Sequence, residues 1–145
     1  MSENVAKSEH SQQVRNHYNK IKERRRQDRR KSEIIQLRCF NNWMKQVQIE
    51  DVIIAYTEIC PSSKKDGLQV LDYCCGKGGD QNKWKKGPVR HIDFVDISDE
   101  SINECKRRYE GNKTCNLKYT ADFFTHDCTA EITDPQLDKK YWKTL

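Results

Sequence analysis

Leu68-Gln69-Val70-Leu71-Asp72-Tyr73-Cys74-Cys75-Gly76-Lys77-Gly78-Gly79-Asp80 decides the fold. Its first half is a short apolar run ending in an acid. Its second half is a glycine-rich turn. Together they predict a buried parallel strand that feeds a helix over Gln81 to Lys86. Glycines between a strand and a helix let the backbone approach a ligand closely, and the helix N-terminus beyond adds exposed amides. Downstream, His91-Ile92-Asp93-Phe94-Val95-Asp96-Ile97 reads as a second strand that again ends in an acid. Ser98 then starts a helix carrying Ile102, Cys105 and Tyr109, with Asp99 and Glu100 in the first turn, where the helix dipole favours negative charge. A third strand is expected near Lys118 to Phe124. Strand, helix, strand, helix, strand is the signature of an α/β, doubly wound parallel sheet.

Asp96 lies eighteen residues past Gly78. That is about where a Rossmann-like fold places the carboxylate that accepts hydrogen bonds from ribose hydroxyls. On its own the pattern says adenosine-containing cofactor. It leaves nucleotide dehydrogenases, S-adenosylmethionine enzymes and a merely structural glycine turn all open.

Upstream, Leu37, Phe40, Met44 and Val47 recur at three- and four-residue spacings, which predicts one apolar face of a helix over Ser32 to Ile59, packed on a core. Cys60-Pro61-Ser62-Ser63 stops it. Residues 1 to 12 are polar and aperiodic and read as a disordered tail; 13 to 31 read as a basic, partly helical segment, and 32 to 145 as the folded domain. Of the chain's net charge of +5, more than all comes from Lys20 to Lys31, where eight basic residues face only Glu23 and Asp28. Such a block favours a polyanion such as nucleic acid, or a nuclear import receptor, and also fits a solvated helix face.

Only 34% of the 145 residues are hydrophobic and 34% are charged, so the core is thin. The start has no apolar signal region, and no stretch approaches the roughly 18 to 20 apolar residues that span a bilayer; the expectation is a soluble intracellular protein with no membrane partner. Seven cysteines with no C-x-x-C pair argue against a disulfide framework or a zinc site. They read as reduced thiols. Asn112-Lys113-Thr114 matches a glycosylation sequon by chance.

His17-Tyr18-Asn19, the run Leu37-Arg38-Cys39-Phe40-Asn41-Asn42-Trp43-Met44-Lys45, the Leu71 to Asp80 turn, Trp84-Lys85-Lys86-Gly87 and Arg108-Tyr109-Glu110 occur in that order. From about Val14 to Asp127 the chain therefore resembles the eukaryotic mRNA cap guanine-N7 methyltransferase family. The resemblance implies a Rossmann-like S-adenosylmethionine-dependent methyltransferase fold preceded by N-terminal helices. It also implies S-adenosyl-L-methionine as cofactor, the 5′ capped end of RNA as substrate, and a nuclear location.

By the same resemblance, Lys45 reaches the cofactor from the N-terminal helix, its ammonium suited to the methionine carboxylate. Asp96 matches the ribose-binding acid and Asp127 the acid beside the adenine. Asn41 and Asn42 match cap contacts; Lys77, Lys83 and Arg108 match positions facing the cap and its phosphate bridge. Guanine N7 already carries a free lone pair, so the transfer needs no general base, and no residue is assigned as catalytic acid or base. His126 and Cys75 read as ordinary neighbours of the site.

Two departures stand out. Cys74, itself in the cofactor turn, occupies the place of the first glycine of the family's Asp-x-Gly-x-Gly pattern. It would crowd the methionine portion of the cofactor unless its φ is negative. The chain also stops at Leu145, where the family continues, so about half of a seven-stranded sheet is expected, with the first strand as an exposed edge. The competing reading is a non-catalytic truncated form that acts at most as a nuclear RNA-binding protein.

Overall fold

Three parallel strands carry the architecture, in the order β1 (Leu68–Tyr73), β2 (Val89–Asp96), β3 (Thr120–Thr125). The structure, a computed structural model, describes residues 2–21, 28, 30–113 and 117–129, with side chains described for 9–21, 28, 30–112 and 117–129. Most of the basic run between 22 and 29, and everything from 130 to 145, lie outside the described residues. The helices are α1 (Ser2–Lys20), α2 (Ile35–Ile59), α3 (Ser63–Asp66), α4 (Gln81–Trp84) and α5 (Asp99–Lys113).

Register explains the burial. Val70 pairs with Ile92 and Ile92 with Ala121, while Asp72 pairs with Phe94 and Phe94 with Phe123. Alternate residues of β2 and β3 therefore form one apolar face, which α5 covers with Cys105 and Tyr109. Phe94 stacks on Phe123 at 5.5 Å between ring centroids, and Tyr109 meets Phe123 edge-on at 5.7 Å. β2 is the buried strand; β1, as expected, lies at an edge of the sheet. Three buried polar groups are satisfied rather than stranded: Tyr109 Oη donates to Tyr119 O, Tyr119 Oη to Gln81 O and Gln81 Nε2 to Cys105 O, at 2.7, 2.9 and 2.8 Å. Together they lock α4, α5 and the entry to β3.

At the start of α5, Ser98 Oγ accepts the Ser101 N–H at 3.1 Å. This is the cap the sequence predicts, worth roughly 1 kcal/mol. The same hydroxyl donates to Asn19 Oδ1 at 2.6 Å, and Arg15 Nε donates to Ile97 O at 3.1 Å. These contacts dock α1 on the C-terminal end of β2. α1 begins at Ser2, within the stretch that reads as a polar, aperiodic tail: 2–20 contain no glycine or proline, and His17 and Lys20 complement the dipole at the helix end. Sparse apolar periodicity gave no hint, because the docking is largely polar.

α2 departs from expectation in its buried face. Leu37 and Phe40 are more than half exposed, as is Trp43; the stripe that reaches the core is Ile49, Ile53 and Thr57, one helical half further on. Only the C-terminal half of α2 sends apolar side chains into the core. Periodicity showed that an apolar face exists, not which turns of it are covered.

Candidate functional site

The turn after β1 supplies the floor of the site. Cys74, Gly76 and Gly78 all take positive φ, at +59°, +54° and +69°. At Gly78 the need for glycine is double, since a Cβ there would sit 2.6 Å from Cys105 Sγ. Gly76, released from any side chain, turns its N–H onto Asp96 Oδ2 at 2.8 Å, while Ser98 N–H donates to Asp96 Oδ1 at 2.9 Å. The carboxylate that ends β2 is thus held from both sides by backbone, and carboxylate oxygens have lone pairs to spare for a ligand.

Cys74 has the backbone that favours glycine, so the slight-cost alternative of a negative φ does not hold. A left-handed residue other than glycine costs about 1–2 kcal/mol. Its thiol is pushed up to about 11 by burial and by Cys128 beside it. The neighbouring Cys75 thiol is raised further by its hydrogen bond to Cys105 and by burial. Both are poor nucleophiles at neutral pH.

Above this turn lies a cavity of about 370 Å³, within the usual range for small-molecule sites. It gathers Cys74, Asp96 and Asp127, three of the four residues assigned to the cofactor. Its other walls are His10, Ser11, Val14 and Tyr18 of α1, Gly76, Val95, Ile97 and Ser101, and His126, Cys128 and Thr129 after β3. Asp127 is held below the usual carboxylate range, first by the Ser11 hydroxyl and then by the Thr129 N–H. His126 Nε2 is buried with no hydrogen-bond partner among the described residues. The α1 wall is what sequence reasoning missed. Its one legible trace was the 10, 11, 14, 18 spacing, a single helix face.

The remaining assigned residues do not line the cavity. Lys83, almost fully buried, donates to Asn42 Oδ1 at 2.6 Å, Asp80 Oδ1 at 2.7 Å and Gly79 O at 3.3 Å. Lys45 reaches the other oxygen of the same acid, Asp80 Oδ2, at 2.9 Å. Asn42, Lys45, Asp80 and Lys83 thus form one clamp between α2 and the glycine turn. Burial alone would raise the Asp80 carboxyl, but the hydrogen bonds from Lys83 and Lys45 outweigh it and hold the group below its ordinary value. Asn41 is exposed beside the clamp. Lys77 Nζ donates to Ile21 O at 3.0 Å, and Arg108 Nε pairs with Glu104 at 2.7 Å on α5. Beneath the clamp, burial pushes Asp72 up to about 6, and the Asp80 carboxylate adds to it. Asp72 Oδ2 and Trp84 Nε1 are both enclosed; the indole is near enough to oppose the shift but outside hydrogen-bonding geometry.

A strand-end acid held over a glycine turn is common to many nucleotide folds; the comparison with known proteins decides among them. A family model described as the mRNA (guanine-N(7))-methyltransferase domain matches residues 1–144. The chain belongs to this family. It is 43% identical over 125 residues to the mRNA cap guanine-N(7) methyltransferase of Drosophila melanogaster, covering 80% of this chain and 28% of that protein. It is 32% identical over 133 residues to that of Caenorhabditis elegans, covering 90% and 34%. With the Schizosaccharomyces pombe protein it shares 36% identity over 115 residues, 79% of this chain and 29% of that one. The chain thus spans about a third of the length of these curated relatives. Among solved structures, the magnesium protoporphyrin IX methyltransferase of Synechocystis PCC 6803 with bound SAM superposes with a TM-score of 0.50 at 17% identity, over 81% of this chain and 54% of that one. That likeness shows the fold, of which the three parallel strands here are an incomplete copy.

Proposed function

We propose that this chain is the cofactor-binding portion of an mRNA cap guanine-N7 methyltransferase, with S-adenosyl-L-methionine in the cavity above the β1 turn. The observation that carries this is the placement of Asp96 and Asp127 at the ends of adjacent strands around one cavity of suitable size. The donor set fits the cofactor. Asp96 offers acceptors for ribose hydroxyls, Asp127 offers a carboxylate that would accept from the adenine amino group, and His126 Nε2 is buried with no hydrogen-bond partner among the described residues. The cofactor supplies an electrophilic methyl on a sulfonium. The protein's task is to bind, orient and exclude water, because guanine N7 needs no deprotonation.

Lys45 fits the role of neutralising the methionine carboxylate, for which it would leave Asp80. Asn41 and Asn42 on α2, with Lys77, Lys83 and Arg108, are the side of the domain proposed to face capped RNA, where cations offset the phosphate bridge. In this arrangement Lys83 acts by holding Asn42 in place rather than by touching phosphate. The Lys20 to Lys31 tract is proposed to serve a nuclear import receptor and RNA phosphates. Replacing Arg24, Arg25 and Arg26 by Gln is expected to reduce nuclear retention or the salt slope of RNA binding, and no change in either would remove the role.

The test of the cofactor site is calorimetry with S-adenosyl-L-methionine on the chain and on Asp96→Ala. Two charge-assisted hydrogen bonds to ribose, at roughly 1.5–3 kcal/mol each, imply a loss of at least a hundredfold in affinity. Equal binding by Asp96→Ala would remove the ribose role, whereas RNA binding without any cofactor binding would favour the non-catalytic RNA-binding reading.

A further inference from the structure

On the face of the sheet opposite α5, register puts four polar side chains together. His91 and Asp93 are two apart on β2. Thr120 and Asp122, two apart on β3, are their direct partners in the parallel ladder, His91 beside Thr120 and Asp93 beside Asp122. Two carboxylates side by side on neighbouring strands repel each other unless a cation lies between them. The third member of the group shows where such a cation fits. Thr120 Oγ1 donates to Arg90 O at 3.3 Å and lies 2.7 Å from His91 Nδ1, which leaves its lone pairs to accept a proton from that ring nitrogen. Nε2 faces Asp93 Oδ1 at 2.8 Å, a hydrogen-bond distance at which the ring N–H donates to the carboxylate, and Asp122 Oδ2 at 3.4 Å, so a divalent cation would take that proton's place between the imidazole and the two carboxylates.

We propose that His91, Asp93 and Asp122 form a binding site for a divalent cation of the zinc type, with Thr120 as the positioning residue that fixes the imidazole tautomer. Three ligand atoms within 4.8 Å of one another suit a single ion. Metal–ligand bonds of about 2.0–2.2 Å place neighbouring ligand atoms about 2.8–3.6 Å apart, which spans both separations seen here. A ligating histidine normally donates its second ring N–H to an outer acceptor, a place the Thr120 hydroxyl fills here. The imidazole favours zinc or a later transition ion over magnesium or calcium. Asp93 is fully buried and Asp122 largely exposed, so the ion would enter from the Asp122 side. It would tie β2 to β3 near the start of both strands, at the opposite end from Asp96 and Asp127. The role assigned is therefore structural, and the site is independent of the proposed cofactor cavity.

The experiment is a titration of the chelator-treated full chain with zinc alone, read by equilibrium dialysis and by the thermal midpoint. One zinc per chain at micromolar concentration, with a rise in midpoint, is expected. Asp122→Asn, at an exposed position and verified as folded by circular dichroism, should weaken binding tenfold or more. His91→Gln should abolish it, and Thr120→Val should weaken it while leaving all three ligands in place. No zinc binding below millimolar concentration would overturn the site. So would zinc held equally by the parent and by Asp122→Asn and Thr120→Val, because the metal would then belong to the cysteine thiols.

Discussion

Asp72→Asn should stabilise this protein at neutral pH and leave its stability nearly unchanged at pH 4. Asp72 is the next-to-last residue of β1, with one carboxylate oxygen enclosed and the Asp80 carboxylate close by, and its folded value is raised from 3.8 to about 6. Between those two values the folded state holds a proton that the unfolded chain has lost, so stability falls as pH rises from about 4 through about 6, then levels off. At about 1.4 kcal/mol per pH unit, the cost of the ionised carboxylate above pH 7 is up to about 3 kcal/mol. Asparagine keeps the shape and removes the charge. Urea denaturation of parent and variant at pH 7.5 and pH 4.0 measures the difference directly. A gain of about 2–3 kcal/mol at pH 7.5 that shrinks to a few tenths at pH 4.0 is expected. A variant equally displaced from the parent at both values, or less stable at pH 7.5, would refute the claim that an enclosed charge at Asp72 costs stability.

Three further outcomes follow from the same geometry. Cys74→Gly should remove about 1–2 kcal/mol of left-handed strain while adding about 0.5–1 kcal/mol of unfolded-chain entropy, for a net gain of about 0–1.5 kcal/mol. It should also bind S-adenosyl-L-methionine more tightly, and a lower thermal midpoint together with weaker binding would contradict both. Asp80→Asn should cost about 2–3 kcal/mol, near the low end for breaking a buried ion pair, because Lys83 is enclosed while Asp80 is partly open; since Asp80 is held below its ordinary value, the parent should lose this contribution only as pH falls below about 4, and a variant as stable as the parent at pH 7 would show that the clamp carries nothing. Finally, because Asn41 and Asn42 stand on an open helix surface, methyl transfer to GpppA-capped RNA by this chain should run at least about a hundredfold below that of a version extended to the length of its relatives, and rates within tenfold of each other would refute it.

Features with a short-range cause were legible in the sequence. Short apolar runs ending in an acid located the first two strands to within one or two residues, and Ser98 announced α5 because a capping hydroxyl acts over three residues. Asp96 could be named as a ligand acid because the end of a strand after a glycine turn is a fixed place in this architecture. What could not be read were couplings between distant residues. The α1 wall of the cavity depends on Arg15 and Asn19 finding Ile97 and Ser98, some eighty positions away. The His91, Asp93 and Asp122 group appears only once the β2–β3 register is known.

α2 shows why pattern alone falls short. Leu37, Phe40, Met44 and Val47 have the spacing of a buried stripe, yet Leu37 and Phe40 are open, and the clamp at Asp80 lies between them and the turns that reach the core. A polar clamp holds by direction where apolar packing holds by area, and a hydrophobic period cannot register it. The same two residues that the family resemblance assigns to ligands, Asn42 and Lys45, are the ones that hold α2 to the glycine turn. Ligand binding and the seating of α2 therefore draw on one set of hydrogen bonds: a ligand that takes Lys45 from Asp80 must also loosen one of the two cationic contacts that fix the helix.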